Sequence, residues 1–112
     1  MQIDERTVGN VKVLDVTGQI TFTQGDMLLK DKIHSMLHQG HKKILINLAG
    51  VSYIDSAGLG ELVGSYTTVT RAGGSLKLEN VTKRMHDLLS ITKLLTVFET
   101  FDKEQDAVQS FS

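Results

Sequence analysis

The 112-residue chain contains no cysteine. Disulfide frameworks, thiolate zinc sites, iron–sulfur clusters and cysteine nucleophiles are therefore excluded. Proline and tryptophan are also absent, and aromatic residues make up only 5% of the chain, too few for a stacking platform that holds single-stranded nucleic acid. A formal net charge of −1 leaves no basic footprint for duplex binding, so no nucleic-acid partner is expected. No apolar run is long enough to span a bilayer. The opening Met1-Gln2-Ile3-Asp4-Glu5-Arg6 lacks the basic and apolar regions of a signal peptide, and a cytoplasmic protein is expected. What is present is ordinary globular material. Hydrophobic residues make up 40% and charged residues 22%, which suits one core in a single domain over 1–112.

Without proline, ten glycines do the punctuating. Residues 3–8 and 11–17 are β-branched and partly alternating, and Gly9-Asn10 between them is a two-residue hairpin signal. Two antiparallel strands are predicted, the second closed by Gly18. Thr23, with Asp26 three residues on, reads as an acidic variant of the capping box. Leu29, Ile33, Met36 and Leu37 follow at helical spacing until Gly40. Ile44-Leu45-Ile46-Asn47-Leu48 is nearly continuous apolar, as in a parallel strand covered on both faces. A second helix is predicted from about Ser56, with Leu59, Leu62, Val63, Tyr66 and Val69 as its apolar stripe and Gly73-Gly74 as its end. Leu76–Leu78 is a short strand, and Thr82 caps a third helix bearing Met85, Leu88 and Leu89. Thr96–Phe101 is predicted as the last strand. Asp102, with Gln105, is predicted to cap a terminal helix carrying Val108 and Phe111. The order β-β-α-β-α-β-α-β-α implies an α/β fold with a mixed, mostly parallel sheet, an N-terminal hairpin and right-handed crossovers.

In open α/β sheets the functional crevice lies beyond the carboxyl ends of the strands. The third strand leads through Ala49–Ile54 into Asp55-Ser56-Ala57-Gly58-Leu59-Gly60. Asp55 suits an N-cap, which leaves Ser56 exposed in the first turn. Gly58, Gly60 and Gly64 lie in the same helix, and each costs about 0.8–1 kcal/mol against alanine. Gly60 and Gly64 share a face with Ala57. Close approach of another backbone explains that cost, either the sheet beneath or a docked partner.

Val51-Ser52-Tyr53-Ile54-Asp55-Ser56-Ala57-Gly58-Leu59-Gly60 resembles the signature of the STAS domain, above all that of the bacterial anti-sigma factor antagonists. The likeness extends to Val16-Thr17-Gly18, Gly73–Leu78 and Leu88–Leu94. It implies the STAS fold and a phosphorylation switch. The serine matching Ser56 is phosphorylated by an anti-sigma factor that is also a serine kinase. The unphosphorylated form binds that anti-sigma factor and frees the sigma factor, and a phosphatase resets the switch. The expected partner surface comprises Thr21, Thr23, Asp55, Ser56, Ala57, Gly58, Leu59 and Gly60. One departure stands out: the family often has an acidic residue after the Gly-x-Ile/Leu of strand two, where this chain has Thr21.

Other chemistries fit less well. No Gly-x-Ser-x-Gly elbow surrounds Ser56, because Ile54 and Gly58 flank it at two residues, and no base is indicated. The protein is therefore not expected to be an enzyme. His34, His38 and His41 could approach a metal from one side of a helix end, but they lack a supporting carboxylate in sequence. A solvated face is expected, with no metal and no cofactor. Gly58-x-Gly60-x-x-x-Gly64 departs from the dinucleotide fingerprint. Lys42-Lys43 and Lys83-Arg84 read as solvated ends of elements. Within the same fold, a stand-alone STAS subunit of a bacterial membrane transporter is the alternative, although the serine position is frequently altered there.

Overall fold

The computed structural model describes residues 1–21 and 26–112, and of Asp26 only its backbone. The predicted capping pair Thr23 and Asp26 thus lies outside the described residues. Five strands form one sheet in the order β1-β2-β3-β4-β5. β1 (Gln2–Val8) and β2 (Val11–Ile20) are the predicted antiparallel hairpin, turned at Gly9 with φ +62°. β3 (Lys43–Ile54), β4 (Ser75–Glu79) and β5 (Thr100–Phe101) add in parallel.

Two long strands carry the sheet further than the hydrophobic pattern indicates. Gly18 does not close β2. It sits inside the strand at φ +96°, next to a register shift, and pairing resumes as Gln19 with Tyr53 and Ile20 with Ile54. Glycine tolerates that backbone conformation, so the strand bulges rather than stops. β3 likewise continues past Leu48 to Ile54. Its last six residues are exposed except for Val51 and Ile54, so the unbroken apolar run ends well before the strand does.

The two faces of the sheet are covered unequally. Leu14, Val16, Ile44, Ile46, Leu48, Leu76 and Leu78 form one core with residues of α1 (Asp26–His38), α2 (Ser56–Arg71) and α3 (Lys83–Ile91). Leu62, Val69 and Leu89 from those helices are fully buried, and such burial is worth about 1.5–3 kcal/mol per side chain. On the other face Val11, Val13 and Leu45 form a smaller cluster with Ala107 of α4 (Glu104–Gln109) and Phe111 of its following turn, against which Val8, Phe101 and Val108 pack. Thr82 caps α3 as predicted, its hydroxyl accepting from the Met85 N–H at 3.3 Å. Thr82→Ala is expected to lower stability by about 1 kcal/mol, read as an earlier thermal melting transition.

The chain beyond α3 departs from expectation. Leu94–Thr96 is a 3-10 turn, and only Thr100–Phe101 pairs as strand. Leu94, Leu95, Val97 and Phe98 pack into the larger core instead, with Phe98 edge-on to Tyr66 at 5.4 Å between ring centres. Burying those side chains beneath the helices displaces the sheet pairing that Thr96–Phe98 would have made, while the Glu99 carbonyl still accepts from the Leu78 N–H at 3.0 Å. Asp102 is not the cap of α4. The helix begins at Glu104 after Lys103, whose side chain caps nothing, and the Glu104 side chain is drawn to Arg6 on β1. α1 ends at His38, so His41 lies past the helix rather than on its face. Among the described residues no group of three His, Asp or Glu side chains is arranged to hold a metal, and no helix is long and apolar enough to cross a membrane.

Candidate functional site

The carboxyl ends of β2 and β3 and the start of α2 meet at one rim. Ile20 and Ile54 are the last paired residues of the two strands. The Asp55 N–H then donates back to the Ile20 carbonyl at 3.3 Å, and the Asp55 carboxylate accepts from the Gly58 N–H at 2.8 Å. The Asp55 carbonyl takes the first helical bond, from the Leu59 N–H at 2.9 Å. Asp55 is thus the N-cap that the sequence predicts, in extended conformation. Ser56, the first helical residue, is exposed.

Gly58 is what lets the rim close. A Cβ there would lie 1.9 Å from the Ile20 carbonyl oxygen and 2.7 Å from its carbon. The first turn of α2 therefore rests backbone against backbone on the end of β2. Gly60 and Gly64 differ, since a Cβ at either would meet nothing within 4 Å. The two accounts of the helix glycines divide between positions: close packing holds for Gly58, and open surface for Gly60 and Gly64.

Of the residues expected at the partner surface, Ser56 and Gly60 are exposed, and Asp55 and Ala57 are half-buried. Thr21, Gly58 and Leu59 are buried and support the rim from beneath. Thr23 lies outside the described residues. Tyr53 and Arg84, neither expected at the site from sequence, extend the rim toward α3. The Arg84 guanidinium sits 4.7 Å from the Tyr53 ring centre, so Arg84 is not a merely solvated helix end. Tyr53 and Ile91 stay exposed beside it, in a shallow groove shared with Ile54, Asp87 and Leu88. Arg84 is 31 positions from Tyr53, and no local spacing announces that pair.

A single mixed sheet with helices on both faces, and an exposed serine on a capped helix start at its strand ends, define an α/β module. Residues 2–107 match the STAS domain family model, and the chain belongs to that family. Several relatives bear the name anti-sigma factor antagonist. The anti-sigma-B factor antagonist of Bacillus subtilis (strain 168) is 34% identical over 109 residues, covering 97% of this chain and 98% of that one. The Thermotoga maritima protein TM1081, crystallised as a candidate anti-sigma factor antagonist, superposes with a TM-score of 0.89 at 23% identity, covering 97% of this chain and 93% of that one. The Bacillus cell fate determinant SpoIIAA in its phosphorylated form superposes with a TM-score of 0.77 at 19% identity, over 99% of this chain and 100% of that one. These structural likenesses establish the STAS fold.

Proposed function

We propose that the protein is an anti-sigma factor antagonist switched by phosphate on Ser56. Unphosphorylated, it binds an anti-sigma factor serine kinase and releases the sigma factor. The kinase closes the cycle by phosphorylating Ser56, and a phosphatase reopens it. It works by binding, without a cofactor. The observation that carries this reading is the exposed Ser56 hydroxyl at the start of a helix whose first turn Asp55 and Gly58 lock onto β2. A kinase can reach it, and the rigid turn presents it in one place. The names of the relatives support antagonism of an anti-sigma factor over a transporter subunit.

Incubation with the cognate kinase and ATP, followed by peptide mass spectrometry, is expected to place one phosphate on Ser56. Phosphate on Thr21 or Thr23 with Ser56 unmodified would overturn the reading. The docking surface is expected to include the open side of Gly60. A Cβ at Gly60 meets nothing within 4 Å and leucine is a good helix former, so Gly60→Leu is expected to melt no lower than wild type while weakening binding about tenfold or more, a loss of about 1.4 kcal/mol. Normal binding by the folded variant would move the partner off that face.

A further inference from the structure

On the α4 side of the sheet, one polar side chain from each of four strands lines up beside the helix. Arg6 of β1 donates from Nε to Asp15 of β2 at 2.6 Å and from Nη1 to Glu104 of α4 at 2.8 Å. Asn47 of β3 donates to the same Asp15 carboxylate at 2.8 Å. Glu79 of β4 is wholly buried next to Glu104, and neither of its carboxylate oxygens finds a donor among the described residues. Two ionised carboxylates only accept hydrogen bonds, so a buried carboxylate facing a second, half-buried one is stable only when one of the two holds a proton and donates it. Arg6 decides which one. It is spent on Asp15 and Glu104 and holds both carboxylates below their ordinary range, which leaves the proton to Glu79.

We propose that Glu79 and Glu104 share one proton as a latch that keeps α4 docked on the sheet, and that loss of this proton loosens α4 as pH rises. Burial and the facing Glu104 charge push the Glu79 carboxyl up to about 7. The Asp15 charge acts in the same direction and the Arg6 charge opposes it. Lys77 lies on the same face of β4 but is committed elsewhere, its Nζ donating to the Ser110 carbonyl and hydroxyl at 2.9 Å each. α4 has six residues, too few to persist as a helix once undocked. Its opening therefore uncovers the apolar strip Val11, Val13 and Leu45. The direction of the effect follows from linkage. Glu79 binds a proton more tightly in the latched state than when freed at its ordinary value of 4.5, so opening releases the proton and rising pH favours it.

The test is amide exchange of the full chain, followed residue by residue and corrected for the intrinsic base catalysis of exchange. With the two values above, the opening constant at the amides of Ala107 and Phe111 is expected to rise about tenfold between pH 6 and pH 8. The Glu79 side-chain carboxyl carbon, followed by NMR in the wild-type protein, is expected to titrate near neutrality. Glu79→Gln keeps a donor in place of the proton, and it is expected to leave α4 protected with no pH dependence over that range. Glu104→Gln removes the facing charge, and the Glu79 midpoint is expected to fall. Titration of Glu79 in the ordinary carboxylate range would overturn the proposal. So would α4 protection that is flat from pH 6 to pH 8 in the wild type. Both of these measurements use the wild-type chain, so they decide the matter even where a variant fails to fold.

Discussion

Phosphate on Ser56 is expected to weaken binding to the anti-sigma factor by roughly 100-fold or more while the free domain melts almost unchanged. A phosphoserine adds about −1.5 to −2 charges at neutral pH. In the first turn of α2 it meets the positive end of the helix dipole, worth roughly 0.3–1 kcal/mol in its favour. Repulsion from the neighbouring Asp55 opposes that by a comparable, solvent-screened amount. The free domain therefore feels little net change. A docked partner feels much more. One like charge about 6 Å away costs on the order of 3 kcal/mol at an effective dielectric near 20. An unpaired phosphate buried at the interface adds to that. Calorimetric titration of the two forms, beside their melting curves, separates the effects. Ser56→Asp is expected to reproduce part of the loss, and Ser56→Ala to bind as the unphosphorylated protein does. Phosphate-induced shifts of amide signals throughout the sheet would make the switch conformational and this account wrong.

The second large effect belongs to Gly58. A methyl group there would stand 1.9 Å from the Ile20 carbonyl oxygen, so the strand end or the helix start has to move. Neither yields as a flexible side chain does, because both contacts are backbone. Overpacking of this kind costs about 3 kcal/mol, toward the upper end of its usual range. For a domain of this size that corresponds to a melting point lower by roughly 10–20 °C. Gly60→Ala is the matched control. It meets open space two residues away and gains helix propensity, so it is expected to stabilise by up to about 1 kcal/mol. Equal melting of Gly58→Ala and wild type would show that the first turn does not rest on β2.

Local chemistry made much of this legible. Gly9-Asn10 reads as a hairpin turn because few other dipeptides suit that backbone, and Asp55 and Thr82 read as caps because short oxygen-bearing side chains reach the N–H groups two or three residues on. The order of elements and the parallel sheet followed from alternating periodicities. Features set by tertiary packing did not show. The continuation of β2 past Gly18 depends on a bulge against β3. The shortened last strand reflects Phe98 turning inward to Tyr66. Three glycines in one helix look alike in sequence, and only the position of Ile20 separates Gly58 from the other two. Arg6, Asp15, Asn47, Glu79 and Glu104 each read as an unremarkable polar residue. Strand register and the docking of α4 bring them together over as many as 98 positions.

The ends of the sheet have a bearing on how the protein behaves in company with itself. β1 is an outer strand of seven residues, and Gln2, Asp4, Glu5, Arg6 and Thr7 are all exposed on it. At the opposite margin β5 offers only two residues. An outer strand invites another chain to add to it, and natural proteins discourage this by making such strands short or charged. Here one margin is charged and the other is short. Both margins of the sheet are thus poor templates for the addition of another chain.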